Sequence, residues 1–255
     1  MNIKILVATH KKYKMPKEKI YIPLHVGKEG KQDLGYIGDN TGDNISLKNT
    51  NYCELTGLYW AYKNLKCDYI GLCHYRRYFT IKDVVSRLNN GKDKIDLILT
   101  ENDIEKLMKD YEIILPKKRN YYIETVRSHY KHAHYLKDLN KIEEIIKEKH
   151  VDYIDSFNYV MSGTKLHLFN MFIMKKEDFD RYCQWLFSIL FELEESTDIS
   201  KYDAYQCRIF GFLSERLFNV WLHKEKLKAK EVPVINLEKV YWVKKAKDFL
   251  KRKYS

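Results

Sequence analysis

The chain has 255 residues, 45% of them apolar, with only 10 Gly and 4 Pro; that suits one large core and excludes long disordered stretches. Its five cysteines (Cys53, Cys67, Cys73, Cys183, Cys207) form no CxxC pair and sit inside apolar segments, which argues against a disulfide framework and for buried thiols in a reducing compartment. The net charge of +11 is uneven: residues 224–255 hold 11 Lys or Arg against 4 Asp or Glu, leaving the rest of the chain at only +4.

The first apolar run, Ile3 to Ala8, reads as a strand delivering Thr9, His10 and Lys11 to its carboxyl end. It is too short for a signal peptide, and no run approaches the roughly 20 apolar residues of a membrane span. The expected location is cytoplasmic, or the inner face of the cell membrane. Ile20 to Val26 is a second extended segment, in which Pro23 implies an edge or a break. Asp33 to Ser46 is turn-rich and lacks the calcium-loop pattern. Asp39 and Asn44 there either contact a base or ribose or simply build the turns.

Asn51-Tyr52-Cys53-Glu54 has the spacing of an N-cap, with an apolar helix following to about Leu65. Tyr69 to Cys73 is a short buried strand that ends in His74-Tyr75-Arg76-Arg77-Tyr78-Phe79. In open α/β sheets ligands bind beyond the carboxyl ends of strands. Paired Arg beside aromatic rings suits a phosphate on something flat or sugar-like; the alternative is a surface pair bonded to nearby carboxylates. Asp96 to Thr100 and Tyr111 to Leu115 are further expected strands, the second running into the basic aromatic loop Pro116 to Tyr122.

Glu124 to Lys149 reads as one helix, with His129, His132, His134 and Asp138 near its start but no HExxH or matched metal quartet. Lys165 to Met174 reads as a core strand carrying His167 and Asn170. Phe179, Tyr182, Cys183, Leu186, Phe187 and Leu190 follow as a helical stripe. The last long helix is expected from near Ser200, with Asp203 in a capping position. Arg208, Gly211 and Glu215 share one stripe of it, where the glycine either leaves room for a ligand or packs against another element. The tail mixes Val240-Tyr241-Trp242-Val243 with Lys244, Lys245, Lys247, Lys251, Arg252 and Lys253, a composition for an anionic membrane surface or for a solvated helix.

Two long blocks, Asn51 to Ala61 and Asp68 to Phe79, resemble a bacterial family of capsular and exopolysaccharide biosynthesis proteins regarded as glycosyltransferases. Asn170 to Met174 and Arg208 to Leu217 resemble its later blocks. The similarity spans about residues 3 to 222, giving an expected glycosyltransferase domain over 1–223 and a basic aromatic tail over 224–255. The resemblance implies an α/β, GT-A-like (Rossmann-like) nucleotide-sugar fold with a mixed central sheet and a helical C-terminal part. It also implies transfer from a UDP-sugar, with UDP-galactofuranose as the candidate donor, to a growing or lipid-linked glycan.

Many GT-A enzymes hold a divalent metal with Asp-x-Asp at the strand end where this chain has His74-Tyr75-Arg76-Arg77. The expectation is therefore a donor site of Thr9, His10, Lys11, Asp39, Asn44, His74, Arg76 and Arg77 that needs no cofactor, with Mn or Mg dependence left open. Glu215 and then Asp203 are the candidate bases, Arg208 their partner, and His167 and Asn170 the acceptor contacts. A non-catalytic carbohydrate- or nucleotide-binding assembly protein is the competing reading. Nucleic acid is disfavoured, because the excess charge lies in the tail and no nucleic-acid motif is present.

Overall fold

The computed structural model describes residues 1–81 and 93–238. Among the described residues nine strands form one mixed sheet, whose main path runs β10-β6-β9-β4-β1-β2-β3. These strands are β1 (Ile3–Thr9), β2 (Tyr21–His25), β3 (Ile37–Gly38), β4 (Tyr69–His74), β6 (Ile113–Pro116), β9 (Phe172–Lys175) and β10 (Ala229–Val232). Off this path β5 (Arg77–Phe79) turns back from β4 and pairs with β11 (Val234–Asn236). β1 lies parallel to both β2 and β4, whereas β9 runs antiparallel between β4 and β6. β7 (Arg119–Asn120) and β8 (Lys165–Leu166) make a separate two-stranded ribbon.

Strand alternation sorts the apolar residues into two cores. Leu6, Leu24, Ile70, Leu72, Leu115 and Phe172 face one helical layer. It comprises α2 (Leu55–Asn64), α4 (Val126–Ala133), α5 (Leu136–Lys149), α6 (Ile154–Ser162), α7 (Lys176–Ser196) and α8 (Ile209–Glu225). Ile5, Val7, Cys73, Ile114 and Ile173 face the other side, covered by α3 (Glu101–Asp110) and by the aromatic side chains of β5. Gly71 sits at the crowded centre, where a Cβ would lie 2.9 Å from Ile173 Cγ1 and 3.0 Å from the Phe172 carbonyl oxygen. Pro23 is tolerated because β3 pairs only with Leu24 and His25, so no strand asks for the missing N–H.

Several expected elements are shorter or broken. Asn51 does not cap the first helix: it lies inside α1 (Asn49–Tyr52) and donates to the Cys207 carbonyl at 2.9 Å. Residues 96–100 form no strand; a 3-10 turn (Lys94–Leu97) is capped by Asp93, and Ile98 and Leu99 are buried, Leu99 held by its N–H to the Phe79 carbonyl and by the Tyr21 hydroxyl. The 124–149 segment is two helices, α4 and α5, parted at His134 and Tyr135. Left-handed Phe169 and Asn170 (φ 76° and 52°) divide the expected 165–174 strand into β8 and β9.

The final helix begins at Ile209 rather than near Ser200. The sheet also reaches past residue 223: β10 and β11 pair with β6 and β5, so the first part of the expected tail belongs to the main sheet. The basic segment from Lys239 onward lies outside the described residues. Among the described residues no helix is long and apolar enough to cross a membrane.

Candidate functional site

The parallel pairing of β1 with β4 sets Ala8 beside His74 and brings the carboxyl ends of both strands to one crevice, the location expected for a ligand in an α/β sheet. A cleft of about 900 Å³ opens there. Thr9 and His10 enter it from β1, and His74, Tyr75, Arg76 and Arg77 from the β4–β5 turn. Cys53 and Glu54 enter from the α1–α2 junction, and Arg208, Phe212, Glu215 and Arg216 from the start of α8. Among the described residues six Lys or Arg side chains line the cleft against two carboxylates, Glu54 and Glu215. Such an excess in a walled depression concentrates positive potential and favours an anionic ligand. His10 registers that potential: burial, then Lys11, Arg76, Lys31 and Arg208, hold its imidazole below its ordinary value.

The arginine pair is not uniform. Arg76 is partly exposed and donates to Glu238 at 3.2 Å. Arg77 sits 4.5 Å over the Phe169 ring and pairs with no carboxylate among the described residues. Burial, then Arg76, depresses its affinity for a proton, with Glu215 and Glu54 offsetting part of the effect from beyond ion-pair distance. His74 is anchored differently. Its Nε2 lies 2.7 Å from the Phe169 carbonyl, which can only accept, so Nε2 carries the hydrogen. Burial lowers its pKa, so neutral His74 serves as a fixed donor holding the Phe169 backbone.

Glu215 receives the Phe169 N–H at 2.8 Å and an Arg216 N–H at 3.2 Å. About a fifth of its side chain reaches solvent. Burial raises its pKa, partly offset by Arg216 and by the Phe169 N–H. A carboxylate poised above its usual range and open to a cleft is suited to proton transfer. Glu54, absent from the sequence-derived set, is the second carboxylate. Asn170 donates to it at 2.8 Å and to Ser214 Oγ at 2.9 Å.

Two backbone distortions aim this pair. Cys53 adopts φ 54° and ψ −131° just before Glu54, a conformation that costs a non-glycine residue on the order of 1–3 kcal/mol. Asn170 is left-handed and keeps a buried Oδ1 without a partner. Cys53 Sγ accepts the Arg208 Nε–H at 3.3 Å. A Cβ on Gly211 would meet that same sulfur at 3.2 Å, so the glycine is needed for close helix packing at the cleft floor.

The far wall is aromatic. His134 stacks on Phe212 with ring centres 4.0 Å apart and on Tyr205 at 5.7 Å, while Tyr121 stacks on His129 at 3.9 Å. Ring faces of this kind suit the apolar face of a sugar.

Of the sequence-derived residues, the cleft gathers Thr9, His10, His74, Arg76, Arg77, Arg208 and Glu215. The others lie elsewhere. Lys11 rests 5.0 Å over Tyr75 and 3.9 Å from Glu238, at the rim. Asp39 is fully buried and accepts the Gly27 and Lys28 N–H groups and the Ser46 hydroxyl, so it is a loop staple. Asn44 is spent on Gly42 and Ser46 in an exposed turn. Asp203 is exposed and accepts the Tyr205 and Gln206 N–H groups, both at 2.8 Å, which leaves it organising the entry to α8.

His167 faces a separate cavity of about 480 Å³ and donates from Nδ1 to the Pro116 carbonyl at 2.6 Å. Asn170 reaches the cleft only through Glu54. The cap-like spacing of Asn51 to Glu54 gave Glu54 a structural explanation, and nothing in the sequence marks the positive φ at Cys53 that redirects it.

No group of three or more His, Cys, Asp or Glu side chains among the described residues is arranged to hold a metal ion. The end of β4 and the turn after it bring His74, Arg76 and Arg77 to the cleft, an imidazole and two cations rather than carboxylates at that edge.

Residues 4–226 match a family described as a domain of unknown function, DUF4422. No curated protein matches the chain. Among solved structures, the apo form of WbbM, a bifunctional glycosyltransferase, superposes with a TM-score of 0.87 at 31% identity. The match covers 94% of this chain and 46% of WbbM, so the chain spans about half the length of that protein. The fold is α/β and GT-A-like, with a mixed central sheet and flanking helices.

Proposed function

The chain belongs to the DUF4422 family, and on that premise we propose that it is a glycosyltransferase acting from a UDP-sugar, with UDP-galactofuranose as the donor. The acceptor in this reading is a growing capsular or exopolysaccharide glycan, free or lipid-linked, met at the membrane's inner face with the basic tail as a peripheral contact. The observation that carries the proposal is the composition of the cleft: six cations and two carboxylates at the ends of β1 and β4. Likeness to WbbM over nearly the whole chain supports the same reading.

The donor diphosphate binds at Arg77, Arg76 and Arg208, with Thr9 and His10 toward the nucleoside. The acceptor sugar lies against Tyr121, His134 and Phe212. Transfer with inversion then needs one base. Glu215 takes the proton of the acceptor hydroxyl, and that oxygen bonds to the anomeric carbon. The bond from that carbon to the β-phosphate oxygen breaks, and UDP departs with the electron pair. Arginines placed where that negative charge develops lower the barrier without a metal.

Calorimetric titration of UDP into the purified protein, in EDTA and again with manganese, tests the donor site. Micromolar binding unchanged by EDTA supports a metal-independent transferase. Binding only with manganese overturns the arginine role, and no binding in either condition overturns the transferase reading in favour of a carbohydrate-binding assembly protein.

A further inference from the structure

The ribbon made by β7 and β8 projects a basic and apolar rim beside the cleft. Lys117, Lys118, Arg119 and Lys165 are all exposed along it, and Asn120 pairs with Lys165 in register. None of the four is ion-paired to a carboxylate among the described residues. The neighbouring acid, Glu231, lies 3.7 Å from His167 Nε2.

The chain leaving β7 then presents Tyr122 and Ile123, 81% and 61% exposed, side by side to solvent. This tip is built rather than slack. Tyr122 is left-handed (φ 59°), its N–H is held by Asn120 Oδ1 at 2.8 Å, and the Ile123 N–H by the Tyr121 carbonyl at 2.7 Å. The backbone strain of a non-glycine residue at positive φ gains no intramolecular burial for the Tyr122 ring, which faces water. The same segment contributes Arg119 and Tyr121 to the cleft wall, so whatever covers the tip lies at the mouth of the site.

We propose that this ribbon is a docking surface for an anionic phospholipid bilayer, with Tyr122 and Ile123 entering the headgroup region and the three lysines meeting lipid phosphates. Uncompensated cations around an exposed aromatic and aliphatic pair fit that interface from both sides. The inference deepens the transferase reading, because a rim docked on lipid brings a membrane-borne glycan acceptor to the aromatic wall. Its residues, Lys117, Lys118, Tyr122, Ile123 and Lys165, are not those of the tail.

The test is vesicle co-sedimentation of the full chain with neutral phosphatidylcholine and with mixtures containing phosphatidylglycerol, alongside UDP calorimetry on the same preparations. The variants are Lys117→Gln/Lys118→Gln/Lys165→Gln, Tyr122→Asn/Ile123→Ser, and Lys244→Gln/Lys245→Gln/Lys247→Gln in the tail. Wild type should bind anionic vesicles far better than neutral ones. The lysine variant should lose about a hundredfold in partition, since each of the three cations near an anionic surface contributes about a fivefold factor. The Tyr122/Ile123 variant should lose about tenfold, with UDP binding intact in both.

Ribbon variants that partition like wild type overturn the proposal, whether the tail variant binds or not. Equal binding to neutral and anionic vesicles overturns it, as does binding to a soluble polyanion with none to vesicles. Ribbon-dependent vesicle binding without UDP binding would sustain the docking surface and remove the transferase reading.

Discussion

Replacing Arg77 by Ala should weaken UDP far more than replacing Arg76, although the two are adjacent and chemically identical. Arg77 has no carboxylate partner among the described residues and stacks 4.5 Å over Phe169, with burial and Arg76 both working against its charge. A phosphate arriving there gains two charge-assisted hydrogen bonds, each worth about 1.5–3 kcal/mol, and displaces nothing. The expected loss on Arg77→Ala is about 3 kcal/mol, a hundredfold or more in Kd. Arg76 must first give up Glu238, a partly exposed pair. Its replacement should therefore cost about 1 kcal/mol, roughly fivefold. Arg77→Lys keeps the charge and loses the fork, so it should fall between them at about tenfold. Calorimetric titration of UDP in EDTA, with melting curves to confirm folding, reads all three. If Arg76→Ala costs as much as Arg77→Ala, or if folded Arg77→Ala binds within twofold of wild type, the assignment of diphosphate to Arg77 is wrong.

Glu238→Gln removes the carboxylate that competes for Arg76 and Lys11, so UDP affinity should rise about two- to fivefold; unchanged or weaker binding in the same titration would show that Glu238 does not guard the site. Glu215→Gln should abolish transfer while leaving UDP binding intact. Because burial raises the Glu215 pKa and a base must be ionised to act, wild-type turnover should fall on acidification at a pH above the ordinary carboxylate range; a rate independent of pH from 4 to 7, or retained turnover in the variant, would remove Glu215 from that role. Gly71→Ala forces a Cβ to within 3.0 Å of the Phe172 carbonyl and 2.9 Å of Ile173 Cγ1, and should destabilise the protein by about 1–3 kcal/mol; a denaturation midpoint equal to wild type would mean that β4 and β9 separate more easily than their pairing implies.

The regular parts of the fold were legible because their signal is local. Ile3 to Ala8 and Tyr69 to Cys73 alternate between two apolar faces and emerge as the two central parallel strands, each within one residue of the expected bounds. The expectations failed where a tertiary contact overrode a local pattern. Ile98 and Leu99 carry strand-like composition, yet Leu99 gives its N–H to Phe79 outside any ladder and the segment is buried by packing. The 165–174 run breaks because Phe169 and Asn170 turn left-handed to serve Glu215 and Glu54. Only the partners, 46 and 116 residues away in the chain, explain that turn.

The same division runs through the site. Residues that end a strand were recovered, since His74, Arg76 and Arg77 are carried to the crevice by β4 itself. Residues chosen for their chemical type alone mostly were not. Asp203 looks as catalytic in the sequence as Glu215 does, and Asp39 looks as fit to bind a donor; the difference lies in how many backbone N–H groups claim each carboxylate. Asp39 and Asp203 each satisfy two. Glu215 satisfies one and keeps part of its side chain open to the cleft. Glu54 escaped notice for the opposite reason: a cap-like spacing made it look structural, while the strained Cys53 before it turns the side chain inward. A carboxylate can move a proton only if the fold has not already spent it, and for these four residues that was decided by backbone geometry.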